Sequence, residues 1–458
     1  MLLYALLILF FVVCLVTCYN CCHRSKVLRW DWKKIKLEVH FPKHFLWGVA
    51  TSAHQVEGHC DNNTWHEWEQ SVDEHGKKRV EQTAGIACDQ WNRYKEDIKL
   101  AKELGINTYR FSIEWSKVEP EEGTFDLEAI KHYQNICEEL IKNNIKPCVT
   151  LHHYVDPIWF AKKGGFEQEE NVYYFVRFAK KMFEHLHNQV YIWFTFNAVD
   201  SYVIKGWFIG QSPPGKKDIA LMTSVYKNVL QAHVHLYREI KETEEGKSAH
   251  IGIIKNIHQV DPWCLLNPLD LLGSLLIKKY IDTCFFTFFK TGIFTIYIPF
   301  KVNMSYRNHD AIGALDLIGI NYFSHHYIKN GKIKVNPDEP STDNPHYTVY
   351  PEGLYRAVKE VSNMLAKPLH IPMYITENGI ATTNEDLRDI FLKQNVYALS
   401  KAIQDGYDVR GYIYWSLLDC YEWGTYGKKY GLYKVDFKTQ ERSLKKGSHY
   451  YIDVIKQK

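Results

Sequence analysis

An α/β chain folded as one (β/α)8 TIM barrel is what this sequence predicts, and two observations carry the prediction. Eight short apolar segments with strand character recur between residues 41 and 458, and most of the gaps between them hold amphipathic helical patterns. No low-complexity stretch or charge run interrupts that span, so residues 41–458 read as a single domain.

Taken in order, the predicted strands cover residues 46–50, 107–113, 146–151, 190–196, 250–255, 316–321, 373–377 and 411–416. Their apolar and β-branched content suits strands buried on both faces. Helices are expected between them, for example over 89–104, with Ile98, Ala101 and Leu104 on one face, and over 171–186, with Phe175, Phe178 and Met182. In such a barrel the chemistry sits where strands end, so the residues at these ends should meet in one pocket.

Those ends carry Gln55 and Glu57 after the first strand, Arg110 in the second, His152 and His153 after the third and Asn197 after the fourth. Asn321 and Tyr322 end the sixth, Glu377 the seventh, and Trp415 and Ser416 the eighth, with Glu422 and Trp423 just beyond. Amides, an imidazole, a carboxylate and indoles together form a sugar-binding inventory. The stretch 373–379 is central, because a buried strand delivers Glu377 to the open end before Asn378 and Gly379 turn the backbone.

Composition agrees. The chain of 458 residues, 46% hydrophobic and 24% charged, is long enough to bury a large core. Aromatic residues reach 15%, with 13 Trp and 31 Tyr, and favour a ligand with sugar faces to stack on. A net charge of +3 without a basic stripe argues against nucleic-acid binding. Of the 11 cysteines, the seven beyond residue 22 have a spacing that fits neither a zinc site nor a disulfide framework, and no cofactor or metal is expected.

Residues 1–22 are expected to form an N-terminal membrane anchor, and 23–40 a basic linker. The run from Leu2 to Thr17 is uncharged and nearly all apolar, slightly short of the roughly 20 residues that span a bilayer. Its positive charges, Arg24, Lys26, Arg29, Lys33, Lys34 and Lys36, follow it, whereas a cleaved signal peptide carries them first. That order predicts a single-pass anchor with the barrel on the cytoplasmic side. Seven cysteines beyond the anchor, odd in number, suit a reducing compartment, while sequons at Asn62 and Asn303 point the other way. Cys14, Cys18, Cys21 and Cys22 are candidates for palmitoylation.

The order of motifs resembles glycoside hydrolase family 1, the β-glucosidase and β-galactosidase family, over residues 41–445. The resemblance rests on Phe45-Leu46-Trp47-Gly48-Val49-Ala50-Thr51-Ser52-Ala53-His54-Gln55-Val56-Glu57-Gly58, where the family usually has Tyr at His54. Arg110-Phe111-Ser112-Ile113-Glu114-Trp115-Ser116, Thr150-Leu151-His152-His153, Thr195-Phe196-Asn197 and Gly319-Ile320-Asn321-Tyr322 follow, then Ile375-Thr376-Glu377-Asn378-Gly379, Trp415-Ser416-Leu417-Leu418-Asp419 and Tyr421-Glu422-Trp423. The resemblance implies that Glu377 is a nucleophile forming a covalent glycosyl-enzyme, with Arg110 favouring its ionised form. It also implies that Gln55, His153, Asn197, Asn321, Glu422 and Trp423 hold sugar hydroxyls while Trp415 offers a ring face. Because phosphosugar members carry a smaller residue at the Glu422 position, a β-linked, unphosphorylated hexoside is the implied ligand.

Two departures bear on mechanism. Retaining glycosidases need a second carboxyl group as acid and then base, and in this family it stands in Thr-Phe-Asn-Glu-Pro. Here the text reads Thr195-Phe196-Asn197-Ala198-Val199, so Ala198 occupies the vacated acid/base position. Phe323 stands where the family's Tyr hydroxyl contacts the nucleophile, and Tyr322 is expected to point elsewhere. Three readings remain open: a weak β-glycosidase, an enzyme restricted to activated aglycones or transglycosylation, and a non-catalytic glycan- or protein-binding protein. Asp200 and His54 are the candidates to replace the missing acid. The apolar stretch 265–300 reads as helix packing in a barrel crossover or, alternatively, as a greasy rim for a lipid-linked glycoside.

Overall fold

Each predicted strand forms, with ends shifted by no more than two residues: β1 (Leu46–Ala50), β2 (Thr108–Ser112), β3 (Lys146–His152), β4 (Ile192–Phe196), β5 (Ile251–Asn256), β6 (Leu317–Asn321), β7 (Met373–Asn378) and β8 (Val409–Trp415). The computed structural model describes Tyr4, residues 7–15 and residues 26–457. All eight strands run parallel in the order β1-β8-β7-β6-β5-β4-β3-β2, and β1 pairs with β2 to close the barrel. Alternation along the strands sends Leu46, Cys148, Ile192, Phe194, Ile254, Leu317 and Tyr374 into a separate apolar cluster that fills the barrel floor. The opposite parity, including Trp47, Val149, Trp193 and Ile375, packs outward against the helices.

The two expected helices are present as Gln90–Glu103 and Val172–Leu186, the latter burying Phe175, Phe178 and Met182. Gly379 does not turn the chain by a positive φ. A Cβ there would meet the Trp415 carbonyl oxygen at 1.8 Å, so its role is close approach between β7 and β8.

Residues 26–40, expected as a linker, lie against the barrel. Arg29 pairs with Glu339, the Trp30 N–H donates to Glu352 at 2.8 Å, and the His40 N–H donates to Ser400 at 2.8 Å. The expected anchor falls largely outside the described residues, as do Cys18, Cys21 and Cys22. Within it, residues 7–15 are helical and exposed, and among the described residues no helix is long and apolar enough to cross a membrane. The seven cysteines of the barrel are all free and buried.

The stretch 265–300 divides in two. Phe285, Phe286, Phe288 and Phe289 are buried in the core, which is the crossover reading, whereas the leucines before them stand exposed.

Candidate active site

A register irregularity in β7 between Ile375 and Glu377 lets Thr376 and Glu377 both face the barrel's open end. Glu377 is 5% exposed, and one carboxylate oxygen pairs with Arg110 Nη2 from β2. The other terminal nitrogen of Arg110 donates to Asn197 Oδ1 at 3.1 Å and to Thr150 Oγ1 at 3.3 Å. Asn321 Nδ2 donates to the same Asn197 oxygen at 3.1 Å, and Thr376 Oγ1 fixes Asn321 by donating to its Oδ1 at 2.7 Å. Burial pushes the Glu377 carboxyl above the ordinary carboxylate range, while Arg110, then Asn321 and Asn197, pull it back without cancelling the rise. The guanidinium expected from the sequence is therefore in place, yet desolvation outweighs it.

His153 accepts a hydrogen bond at Nε2 from Asn197 Nδ2, 3.1 Å away, which leaves its proton on Nδ1. That Nδ1 is buried without a protein partner and is a donor offered to a ligand. Burial first, then the Arg110 charge, holds the imidazole well below its usual pKa and keeps it neutral. The His153 ring lies 5.7 Å from Trp415 and 6.1 Å from Trp423, nearly parallel to both. Trp415 Nε1 donates to Glu422 Oε1 at 3.0 Å, and the Cys420 thiol donates to the same oxygen at 3.3 Å. Burial raises the Glu422 carboxyl to about 7, with the Trp415 bond and Lys428 opposing. Gln55 Nε2 donates to the Tyr421 carbonyl at 2.7 Å, which ties this amide to the residue just before Glu422. Hydrogen bonds and ring contacts thus link Glu377, Arg110, Asn197, Asn321, His153, Trp415, Trp423 and Glu422 into one cluster.

The opposite wall is different. Ala198 is 1% exposed and adopts φ 41°, ψ 61°, at the start of the Val199–Val203 helix. Asp200 does not face the pocket as a free acid: it is fully buried, 3.3 Å from Lys255 Nζ and 3.5 Å from His258 Nε2, and accepts from the Asn256 N–H at 3.2 Å. Its carboxyl lies below the usual range, because Lys255 and His258 outweigh burial. His54 is bonded to Glu69 at 2.8 Å and to Asn63 at 3.1 Å, and its ring stacks on the far side of Trp423 at 6.1 Å. The Tyr322 hydroxyl donates to the Tyr350 carbonyl at 2.7 Å, away from Glu377.

Three pocket residues escaped the sequence reading. Tyr347 stacks on Phe323 at 5.9 Å, and burial followed by the charges of Glu422 and Glu377 lifts its hydroxyl to about 12. Tyr154, with φ 68°, sets its ring 5.4 Å from Trp423. Lys205 lies in the π-helical turn Ile204–Ile209 that continues the Val199–Val203 helix. Lys205 is solvent-exposed at its side chain; desolvation, then Lys428, lowers its ammonium, while Glu422, Asp200 and Glu377 oppose. Tyr347 comes from a long loop with no pattern to place it.

Outside the pocket, His54, Cys60 and Glu114 bring three metal-ligand atoms within 4.8 Å of one another. The Asn63 amide stands among them, donating to His54 Nδ1 at 3.1 Å, to the Cys60 carbonyl at 3.1 Å and to Glu114 at 3.2 Å. These groups satisfy each other by hydrogen bonding, and a cation would have to displace Asn63.

The closed barrel of eight parallel strands defines a (β/α)8 protein. The sequence profile described as Glycosyl hydrolase family 1 matches residues 37–458, and the chain belongs to that family. It is 31% identical to beta-glucosidase A of Acetivibrio thermocellus over 450 residues, covering 92% of this chain and 99% of that one. Among solved structures it resembles a beta-glycosidase from Pyrococcus horikoshii, with TM-score 0.82 and 35% identity over 91% of this chain and 95% of that one. A family 1 β-glucosidase from Thermotoga maritima gives TM-score 0.81 and 30% identity over 91% of this chain and 98% of that one. The Thermotoga protein has been solved with galacto-hydroximolactam and with castanospermine.

Proposed function

We propose that this protein handles β-linked hexosides, with Glu377 as the nucleophile of a retaining reaction that stalls for want of an acid/base. The observation that supports this reading is the Glu377 carboxylate paired with Arg110, which together with Asn321 also holds Asn197, while the next residue, Ala198, has no carboxyl group to donate a proton. Glu377 attacks the anomeric carbon, a Glu377–C1 ester bond forms, and the C1–O bond to the aglycone breaks. The departing oxygen leaves unaided only when its conjugate acid is already acidic. An alkoxide or sugar oxygen needs a proton that an alanine cannot give, and acid–base help of this kind is worth about 10²- to 10⁴-fold. Water then attacks the ester slowly without a base, whereas an anion such as azide needs none.

The rival reading, a glycan-binding protein, draws on the Ala198 wall: Asp200 is tied to Lys255 and His54 to Glu69, so neither replaces the acid. Restriction to activated aglycones or to transglycosylation is an intermediate between the two. The apolar N-terminal run and its basic flank support attachment to a membrane with the barrel in the cytoplasm.

Intact-mass measurement after mixing with 2,4-dinitrophenyl β-glucoside or β-galactoside separates these readings. The enzyme reading expects a burst of dinitrophenolate, one hexosyl unit added to Glu377, turnover accelerated by azide, and no label on Glu377→Gln. Neither burst nor label from either sugar, on folded protein, would leave the binding protein. Rapid turnover without azide would mean that another residue supplies the acid.

A further inference from the structure

The Pro268–Ile277 helix is built inside out. A helix packed on a barrel in water normally turns its apolar stripe inward and its polar face outward. In this one Asp270 and Ser274 are the buried residues, while Leu269, Leu272 and Leu275 stand 59%, 54% and 55% exposed. Leu265 and Leu266, just before it, are 59% and 58% exposed. The orientation is fixed by bonding. Asp270 accepts from the backbone N–H of Cys264 at 3.0 Å and of Asn330 at 2.6 Å, and a Cβ on Gly273 would meet Ile328 Cγ2 at 2.8 Å. Turning the leucines inward would break both Asp270 bonds and drive the helix off Ile328. Contiguous apolar surface of this kind marks a docking face.

Its place in the fold narrows the occupant. The strand Gln259–Pro262 leads into the helix, begins just after the C-terminal end of β5, and pairs with His325–Lys329, which follows β6. The helix therefore belongs to the layer at the strands' C-terminal ends, where Glu377 and Asn321 also open. The N-terminal chain reaches the same layer: Glu339 pairs with Arg29 and with His325, the latter at 2.8 Å. Upstream of Arg29, residues 7–15 form an exposed apolar helix. Basic side chains border the leucine face, with Lys279, Lys332 and Lys334 exposed. Anionic headgroups complement these lysines. At about 15 Å the helix is too short to span a bilayer and suits one lying in its interface.

We propose that this leucine face docks into the headgroup region of an anionic lipid bilayer, beside the N-terminal apolar segment, so that the pocket opens next to the membrane. Docking stands without the catalytic reading; that the hexoside is lipid-linked rests on that reading. The test uses full-length protein and sedimentation with vesicles of phosphatidylcholine and phosphatidylglycerol. Leu269→Glu, Leu272→Glu and Leu275→Glu together should weaken vesicle binding at least tenfold, with the melting curve unchanged. Adding Leu7→Ser, Phe10→Ser and Phe11→Ser should remove what remains. Should the glutamate variant misfold, hydrogen exchange of the wild-type protein decides, since amides of residues 268–277 should slow when vesicles are added. Undiminished vesicle binding by the glutamate variant, or exchange unaffected by vesicles, overturns the proposal. So does a dimer in lipid-free buffer that the glutamates dissolve, which would mean that a second copy covers the face. Glycosyl-enzyme formation is read separately, so its failure leaves this result intact.

Discussion

The two walls of the pocket received opposite treatment. At the Glu377 wall each polar group is held by another: Arg110 reaches Asn197, Asn321 reaches the same oxygen, and Thr376 fixes Asn321. At the Ala198 wall the nearby charge is neutralised elsewhere, with Asp200 locked to Lys255 in the layer behind. Preorganised groups cost nothing to align when charge develops at C1, so on the proposed reading the first wall serves the covalent step. The second is prepared only to pack. On the proposed reading, the alanine at position 198 separates formation of the glycosyl-enzyme from the proton transfers around it.

Restoring the second wall gives the largest expected effect. Ala198→Glu should raise turnover of alkyl β-hexosides by about 10²- to 10⁴-fold while leaving the dinitrophenolate burst nearly unchanged, because only the poor leaving group needs the proton. Initial rates on the two substrate types measure the contrast. Equal gains on both, or none on either, would mean that position 198 does not face the glycosidic oxygen.

Much of this wall structure was legible in the sequence. The eight strands could be placed because runs such as 146–151 and 316–321 are apolar and end in polar residues that the pocket requires. Arg110, Asn197, His153, Asn321 and Glu377 lie at those ends, and the structure joins them by direct hydrogen bonds or through a shared partner. What the chain did not reveal depends on distant segments meeting. The net upward shift at Glu377 comes from burial, which no local pattern reports. Tyr347 arrives on a loop with no periodicity, and the inverted Pro268–Ile277 helix shows leucines all round, so only Asp270 bonded to the Asn330 backbone tells which face is outside.

A smaller effect is expected from the charge held behind the Ala198 wall. Asp200→Asn leaves Lys255 facing Asp282 alone, 2.8 Å away, and deprives His258 of its carboxylate. Removing one partner of a buried ion pair costs about 3–5 kcal/mol, so the denaturant midpoint should fall clearly. Turnover of alkyl hexosides by the folded variant should stay at the wild-type level. A selective loss of that turnover would make Asp200 the substitute acid, and the two walls would then be less unequal than their geometry indicates.

The smallest expected effect tests the sugar-binding side, which both readings of function share. Glu422 titrates at about 7 because burial disfavours its charged form. Its folded-state value is raised, so the protonated form persists as pH climbs past the ordinary carboxylate range, and folding stability declines from there up to about 7. Binding has the opposite slope. Sugar hydroxyls donate to the ionised carboxylate, so a neutral ligand must expel the proton below about 7 and need not above it. Affinity for a non-hydrolysable C-linked β-hexoside should therefore rise about tenfold between roughly pH 6 and pH 8, then level off. Calorimetric titration across that range measures it, with uptake of a proton by buffer on the acid side. Glu422→Gln should bind with an affinity that hardly changes with pH, since an amide neither gains nor loses charge. An affinity that falls across the same range would show that Glu422 meets the ligand as a neutral donor through its own proton, and a flat profile that the ligand does not distinguish its two protonation states.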